Sequence, residues 1–136
     1  MTVQVIGYAR VSTKEQDLSL QLDALSKYGC DRIFTDKISS VKERQGLTDA
    51  LGYLRDGDTL VVWKLDRLCR SLPDLIKISE QIRTAGAQLV SITESIDTST
   101  PAGRLYFNIL GALGQMEREL IQERVKAGLA AARRRG

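Results

Sequence analysis

Four arginines and a serine carry the most reactive chemistry in these 136 residues. Arg10-Val11-Ser12-Thr13 sets a hydroxyl two positions after a guanidinium, and Arg44 follows in a polar stretch. Asp66-Arg67-Leu68-Cys69-Arg70 places two more guanidinium groups three residues apart, beside a carboxylate. A single ion pair needs one arginine. Four gathered together repel one another unless an anion joins them, and a phosphodiester suits because guanidinium forks match its oxygens. In phosphoryl transfer the charge spreads over non-bridging oxygens, so positioned cations are most of what catalysis requires. Ser12 is then the candidate nucleophile, and Arg10, Arg44, Arg67 and Arg70 are candidate phosphate ligands. Asp66 is a group to orient an arginine or handle a proton, and Arg67 and Arg70 could share one helical face.

Each of these residues also has a plainer reading. Ser12-x-x-Glu15 and Thr13-x-x-Gln16 both match the capping box at a helix start, and Asp66 with Arg67 fits an exposed ion pair. The arginine cluster tips the balance toward chemistry, because capping does not call for it. Histidine is absent, which removes Ser-His-Asp and Cys-His nucleophiles and His-ligated zinc. Cys30 and Cys69 are too few and too isolated for a disulfide framework or a CxxC zinc site, and read as ordinary small buried residues of a reducing compartment.

These groups need elements to hold them at one place. Val3–Ala9 reads as a first strand, followed by a helix over about Lys14–Tyr28 with Leu18, Leu22 and Leu25 on one face and Gly29 as its stop. A short strand at Arg32–Thr35 leads into a polar stretch from Asp36 to Gly46. Leu47, Ala50, Leu51 and Leu54 mark a second helix, closed by Asp56-Gly57-Asp58. Thr59–Lys64 is a continuous apolar run suited to a strand buried on both faces. A helix over about Ser71–Ala85 and a strand at Gln88–Thr93 complete the alternation. The expected fold is α/β, with a mainly parallel sheet flanked by helices. Ligands of such sheets bind outside the carboxyl ends of the strands, which is where Arg10, Ser12, Arg44, Asp66, Arg67 and Arg70 fall, with few carboxylates close by.

The last segment differs in kind. From Pro101, residues Leu105, Ile109, Leu113, Met116 and Leu120 recur at helical spacing, continuing through Val125 and Leu129. A helix of about 35 residues is about 50 Å long, beyond the roughly 30 Å width of a domain this size, so its far end must meet a second surface. Gly111, Gly114 and Gly128 weaken such a helix and can let another approach closely. Residues 1–100 carry 13 Lys/Arg against 14 Asp/Glu, whereas residues 101–136 carry 7 against 3 and end in Arg133-Arg134-Arg135. A basic tip attracts polyanions, DNA foremost; it also fits a solvated helix end answering the dipole, and the apolar stripe also fits a plain coiled-coil spacer. The expected organisation is a core over 1–100 and a dimerisation and DNA-contact helix over 101–136. No stretch approaches the roughly 20 apolar residues that cross a bilayer, and the expected location is cytoplasmic.

Three separated motifs resemble the serine site-specific recombinases, the resolvases and DNA invertases, in order and at matching spacing over essentially the whole chain. Ile6-Gly7-Tyr8-Ala9-Arg10-Val11-Ser12-Thr13 resembles their nucleophile motif and Val62-Trp63-Lys64-Leu65-Asp66-Arg67-Leu68 their second motif. Met116-Glu117-Arg118-Glu119 with Glu123-Arg124 resembles the start of their long helix, and Asp97-Thr98-Ser99 with Gly103-Arg104 is nearest the invertases. The resemblance implies that Ser12 forms a 5′-phosphoserine link to DNA, with Arg10, Arg67 and Arg70 on the scissile phosphate, Arg44 assisting, and Asp66 supporting proton transfer or holding an arginine. Gln16 and Gln21 match positions near the active site, and Glu123 and Arg124 match supporting positions. It implies no metal, ATP or other cofactor. The implied partners are a double-stranded DNA recombination site, a second copy as homodimer, a tetramer in the active synaptic complex, and accessory DNA-bending proteins. A bacterial, phage or mobile-element origin goes with it. The rival reading is a non-catalytic, DNA-associated oligomerisation module. Ser39-Ser40 stands where the family usually has Ser-Gly, and Cys69 where it usually has Gly. Family members continue past the position of Gly136 into a helix-turn-helix domain that reads the site, so a truncated chain is expected.

Overall fold

The computed structural model describes residues 3–11, 15–37 and 44–134, the side chains of 15–17 excepted. Its elements are β1 (Val5–Val11), α1 (Glu15–Tyr28), β2 (Arg32–Lys37), α2 (Gln45–Tyr53), β3 (Thr59–Val62), a 3-10 turn (Leu65–Arg67), α3 (Leu72–Thr84), β4 (Gln88–Ser91), β5 (Ile96–Asp97) and α4 (Pro101–Arg134). The sheet runs β2-β1-β3-β4-β5. Its first four strands are parallel, and β5 is antiparallel to β4. This is the expected α/β architecture, wound outward from β1 in both directions, so the crevice beyond the end of β1 is where such sheets take a ligand.

Period-two alternation assigns the strand side chains to two layers. Ile6 and Tyr8 of β1 with Leu60 and Val62 of β3 join Leu47, Ile78, Ile82, Phe107 and Leu110, under α2, α3 and α4. Ala9 and Val61 face the other way, onto Leu18, Leu22 and Leu25 of α1. Gly29 closes α1 with φ of +99°, a left-handed stop suited to glycine.

Several expected boundaries move, with consequences for the site. β1 begins at Val5 and runs on to Val11, because Arg10 and Val11 find register partners in Asp36 and Lys37 of an extended β2. Arg10 and Asp36 are therefore strand residues rather than loop residues. β3 stops at Val62 and β4 at Ser91, and the chain after β3 enters the 3-10 turn, whose Leu65 N–H donates to the Glu94 carboxylate at 3.0 Å. The two-residue β5 has no alternation from which to expect it.

α4 has 34 residues, about 50 Å at 1.5 Å per residue. The apolar residues of its first half divide between two faces. Phe107 and Leu110, with Gly103 and Gly114, are buried against the body, and Leu113 is half-buried on the core. Leu105, Ile109, Met116 and Leu120 are exposed on another face, with Leu105 at 62%. Leu113 thus leaves the expected stripe. Every described residue from 115 to 134 is exposed. Glycines let α4 sit close: a Cβ on Gly103 would lie 1.8 Å from the Asp97 carbonyl oxygen, and one on Gly111 2.6 Å from the Arg83 guanidinium. That guanidinium lies 4.8 Å over the Phe107 ring, and Arg118 pairs with Glu80 of α3 at 2.8 Å. Gly114 is likewise close to Glu80, whereas Gly128 faces open space. Among the described residues no helix is long and apolar enough to cross a membrane.

Candidate active site

The end of β1 is built around Arg10. Gln21 of α1, fully buried, accepts from Arg10 N–H at 3.0 Å and donates to Arg10 C=O at 2.8 Å. One side-chain amide thereby does what a neighbouring strand would do for both main-chain groups. The Arg10 guanidinium donates to the Asp66 carbonyl oxygen, fixing it against the 3-10 turn. Burial pulls the Arg10 pKa down, and the charges of Arg44, Arg70 and Arg67 pull the same way while Tyr8 opposes. Arg44, Arg70 and Arg67 thus lie near enough to Arg10 for their charges to act on it.

Arg44 stands at the N-terminal cap position of α2 but makes no side-chain cap itself. Asp36 supplies the cap from β2: its carboxylate accepts from Gly46 N–H at 2.7 Å and Leu47 N–H at 3.0 Å, where the helix N-terminus favours an anion. Gly46 is required by the approach, since a Cβ there would lie 2.3 Å from the Thr35 carbonyl oxygen. The buried Tyr8 hydroxyl donates to the same carboxylate at 2.7 Å, and burial followed by that contact pushes its pKa far up.

The arrangement corrects two expectations. Arg67 and Arg70 do not share a helical face: Arg67 ends the 3-10 turn and Arg70 precedes α3, whose cap is Ser71. Nor is the cluster short of carboxylates. Asp74 of α3 grips Arg44 through both oxygens, at 2.8 and 2.9 Å. Arg44 also donates to the Leu68 carbonyl at 3.2 Å, so Arg10 and Arg44 hold the 65–70 segment from two sides. Asp66 meets Arg10 through its main-chain oxygen, its side chain being exposed.

Ser12 and the side chain of Gln16 lie outside the described residues, as do Ser39, Ser40 and Arg135. Ser12 follows directly on Val11, the last residue of β1. Glu123, Arg124, Arg133 and Arg134 are exposed on the outer half of α4; the structure does not gather them with the arginine cluster. Cys69 is buried and donates its thiol to the Leu65 carbonyl at 3.2 Å. Its backbone does not need glycine, since Ser95 is the one non-glycine residue with positive φ among those described. Cys30 is half-buried rather than buried, and burial raises its thiol pKa to about 11. Among the described residues no group of three His, Cys, Asp or Glu side chains is placed to hold a metal ion. Asp36 and Asp74 were not anticipated as site residues. The signal for Asp36 is its place before the polar loop that leads to a helix, whereas Asp74 is visible only as an acid three residues after a capping serine.

Residues 5–136 match the family model "Resolvase, N terminal domain". The chain belongs to the resolvase and invertase family of serine recombinases. It is 56% identical to the DNA-invertase of Escherichia phage P1 over 97% of its own length and 72% of that protein's. It is 54% identical to the DNA-invertase hin of Salmonella typhimurium, over 96% and 70%. The solved N-terminal catalytic domain of TP901-1 integrase superposes with a TM-score of 0.66 at 32% identity, over 85% of this chain and 97% of that one. The fold accordingly matches that of the solved catalytic domain.

Proposed function

We propose that Ser12 is the nucleophile of DNA cleavage and that Arg10, Arg67 and Arg70, assisted by Arg44, bind the scissile phosphate. The observation that carries this is that the half-buried Arg10, two residues before Ser12 in the chain, feels the charges of Arg44, Arg70 and Arg67 while its guanidinium and that of Arg44 both hold the 65–70 segment. The activity is site-specific recombination of double-stranded DNA, that of the family to which the chain belongs. Ser12 Oγ attacks phosphorus, the Oγ–P bond forms and the P–O3′ bond breaks. The serine proton leaves to a base and the departing 3′ oxygen takes up a proton, with Asp66 supporting these transfers or holding an arginine. The 5′ phosphate stays on the serine until a 3′-hydroxyl attacks it: the O3′–P bond forms, the P–Oγ bond breaks, the hydroxyl loses its proton, Ser12 Oγ regains one, and the diester is restored. One phosphate ester replaces another, so bond energy is roughly conserved and no ATP is needed. The arginines carry the charge that a metal would otherwise carry.

Gln21 supports the site by fixing the main chain at Arg10, with Gln16 near it. Residues 1–100 form the catalytic core. The segment over 101–136 pairs with a second copy through Leu105, Ile109, Met116 and Leu120, and meets DNA through Arg133, Arg134 and Arg135, with Glu123 and Arg124 in supporting roles. The active synaptic complex is a tetramer. Relatives from phages and a transposon accord with a mobile-element origin, and the location that goes with this reading is cytoplasmic. The reading as a non-catalytic oligomerisation module is not favoured.

The test is a series of single alanine variants at Arg10, Arg67 and Arg70, assayed for a covalent protein–DNA adduct and separately for DNA binding. Each variant is expected to bind DNA and lose the adduct by 100-fold or more, on the order of the loss of one transition-state donor. Adduct formation at the unsubstituted rate in all three would overturn the assignment.

A further inference from the structure

Asp74 lies outside the motifs that carry the family resemblance, yet its carboxylate is tied into the arginine cluster by three hydrogen bonds. Its Oδ2 accepts from Arg44 Nη1 at 2.8 Å, its Oδ1 from Nη2 at 2.9 Å, and Oδ2 also from the Arg70 main-chain N–H at 3.0 Å. Asp74 is itself fixed in the first turn of α3, where Ser71 Oγ accepts its N–H at 3.3 Å. The Arg44 and Asp74 side chains are 21% and 17% exposed. One carboxylate therefore ties the head of α2 to the main chain at the head of α3, beside a cleft of about 530 Å³ lined in part by Arg44, Arg70, Asp74 and Lys77.

The donors of Arg44 then divide in a specific way. A guanidinium has five N–H groups. Asp74 takes one from each terminal nitrogen and the Leu68 carbonyl takes the second of Nη1. Among the described residues nothing takes the remaining two, Nε–H and the outer Nη2–H, which lie on the same edge of the plane and run parallel, the fork that two non-bridging phosphate oxygens accept. A flexible arginine would have to be ordered when DNA arrives, whereas one held by a carboxylate is ordered beforehand. The carboxylate also offsets part of the mutual repulsion of four guanidinium groups before any phosphate is present.

We propose that Asp74 is a positioning residue for cleavage: its carboxylate locks the Arg44 guanidinium so that the Nε/Nη2 fork faces the scissile phosphate, in register with Arg70. This rests on the phosphate-binding reading of Arg44 above.

The experiment compares Asp74→Asn, Asp74→Ala, Arg44→Ala and the double variant Asp74→Ala/Arg44→Ala in the full-length recombinase. The probe is a duplex selected for binding from a randomised pool, nicked beside the cleaved position so that adduct accumulates. Adduct rate at saturating duplex, duplex affinity and thermal unfolding are read for each. Asp74→Asn keeps an oxygen for the Arg70 N–H, so the chain stays folded while the doubly accepting carboxylate is lost. The expected result is an adduct rate reduced on the order of 10- to 100-fold in both Asp74 variants, with affinity changed less than about threefold. In the Arg44→Ala background the Asp74 change is expected to add nothing. Asp74→Asn cleaving as fast as the unsubstituted protein overturns the proposal, and cleaving faster makes Asp74 a brake instead. An undiminished Asp74 effect without Arg44 also overturns it. If Arg44→Ala itself cleaves normally, it is the phosphate-binding reading of Arg44 that fails, and the proposal falls with it.

Discussion

Gln21 holds Arg10 by both main-chain groups, accepting from its N–H at 3.0 Å and donating to its C=O at 2.8 Å from a side chain with no exposure. The residue whose guanidinium holds the 3-10 turn at the Asp66 carbonyl thus has its backbone fixed from α1. Replacing the amide by an apolar group of similar length leaves two polar groups unpaired, each at about 1–3 kcal/mol where buried. Gln21→Met is expected to lower stability by about 2–4 kcal/mol in urea unfolding. Adduct formation should fall more than DNA affinity. A variant as stable as its parent would mean that water replaces the amide without cost.

Glycines of α4 should divide by their surroundings. Gly103→Ala forces a methyl to 1.8 Å from the Asp97 carbonyl and is expected to cost about 1–3 kcal/mol, the ordinary range for overpacking. Gly128 has nothing within 4 Å, so Gly128→Ala is expected to increase helicity, by about 1 kcal/mol in intrinsic preference. Circular dichroism and urea unfolding distinguish the two. Equal effects would contradict the close seating of the helix start.

Asp74 gives the stability a pH dependence of known sign. The hydrogen bonds from Arg44 hold its pKa below the ordinary carboxylate value, with burial opposing. A carboxyl whose folded pKa is depressed stabilises fully above its unfolded pKa and loses that stabilisation as pH falls through the folded one. The stability difference between the parent and Asp74→Asn is therefore expected to be largest near neutrality and to shrink below about pH 4. Unfolding free energies from pH 7 to pH 3 test this, and a difference that grows on acidification would contradict it.

The basic tip of α4 should be visible in salt dependence. Each phosphate neutralised contributes about 0.9 to the slope of log K against log salt. Arg133→Ala with Arg134→Ala is expected to reduce the magnitude of that slope by roughly 2 if both contact phosphate. An unchanged slope would place these arginines away from DNA.

Much of this was legible from residue types, because strand runs such as Thr59–Val62 and the Leu18, Leu22, Leu25 face state their burial directly. The convergence of Arg10, Arg44, Arg67 and Arg70 followed from placing each after a strand. What was not legible depends on tertiary register. Arg10 lies within β1 because Asp36 extends the neighbouring strand, a pairing no local pattern encodes. Arg67 and Arg70 are separated by a break between a 3-10 turn and α3, where a helical reading of their spacing expected one face. The Asp74–Arg44 grip spans thirty positions, and only the packing of α2 beside α3 brings it about. On α4, Leu113 and Leu105 lie about 80° apart around the helix, and only Leu113 borders the face that Phe107 and Leu110 bury.

Ser12 remains the central claim, and mass spectrometry of the trapped protein–DNA adduct tests it most directly. After nuclease and protease digestion, the 5′-nucleotide phosphate is expected on the peptide carrying Ser12, with free 3′-hydroxyl ends on the cut DNA, and Ser12→Ala is expected to give no adduct while still binding. Attachment at another residue, or cleavage by Ser12→Ala, would contradict the account.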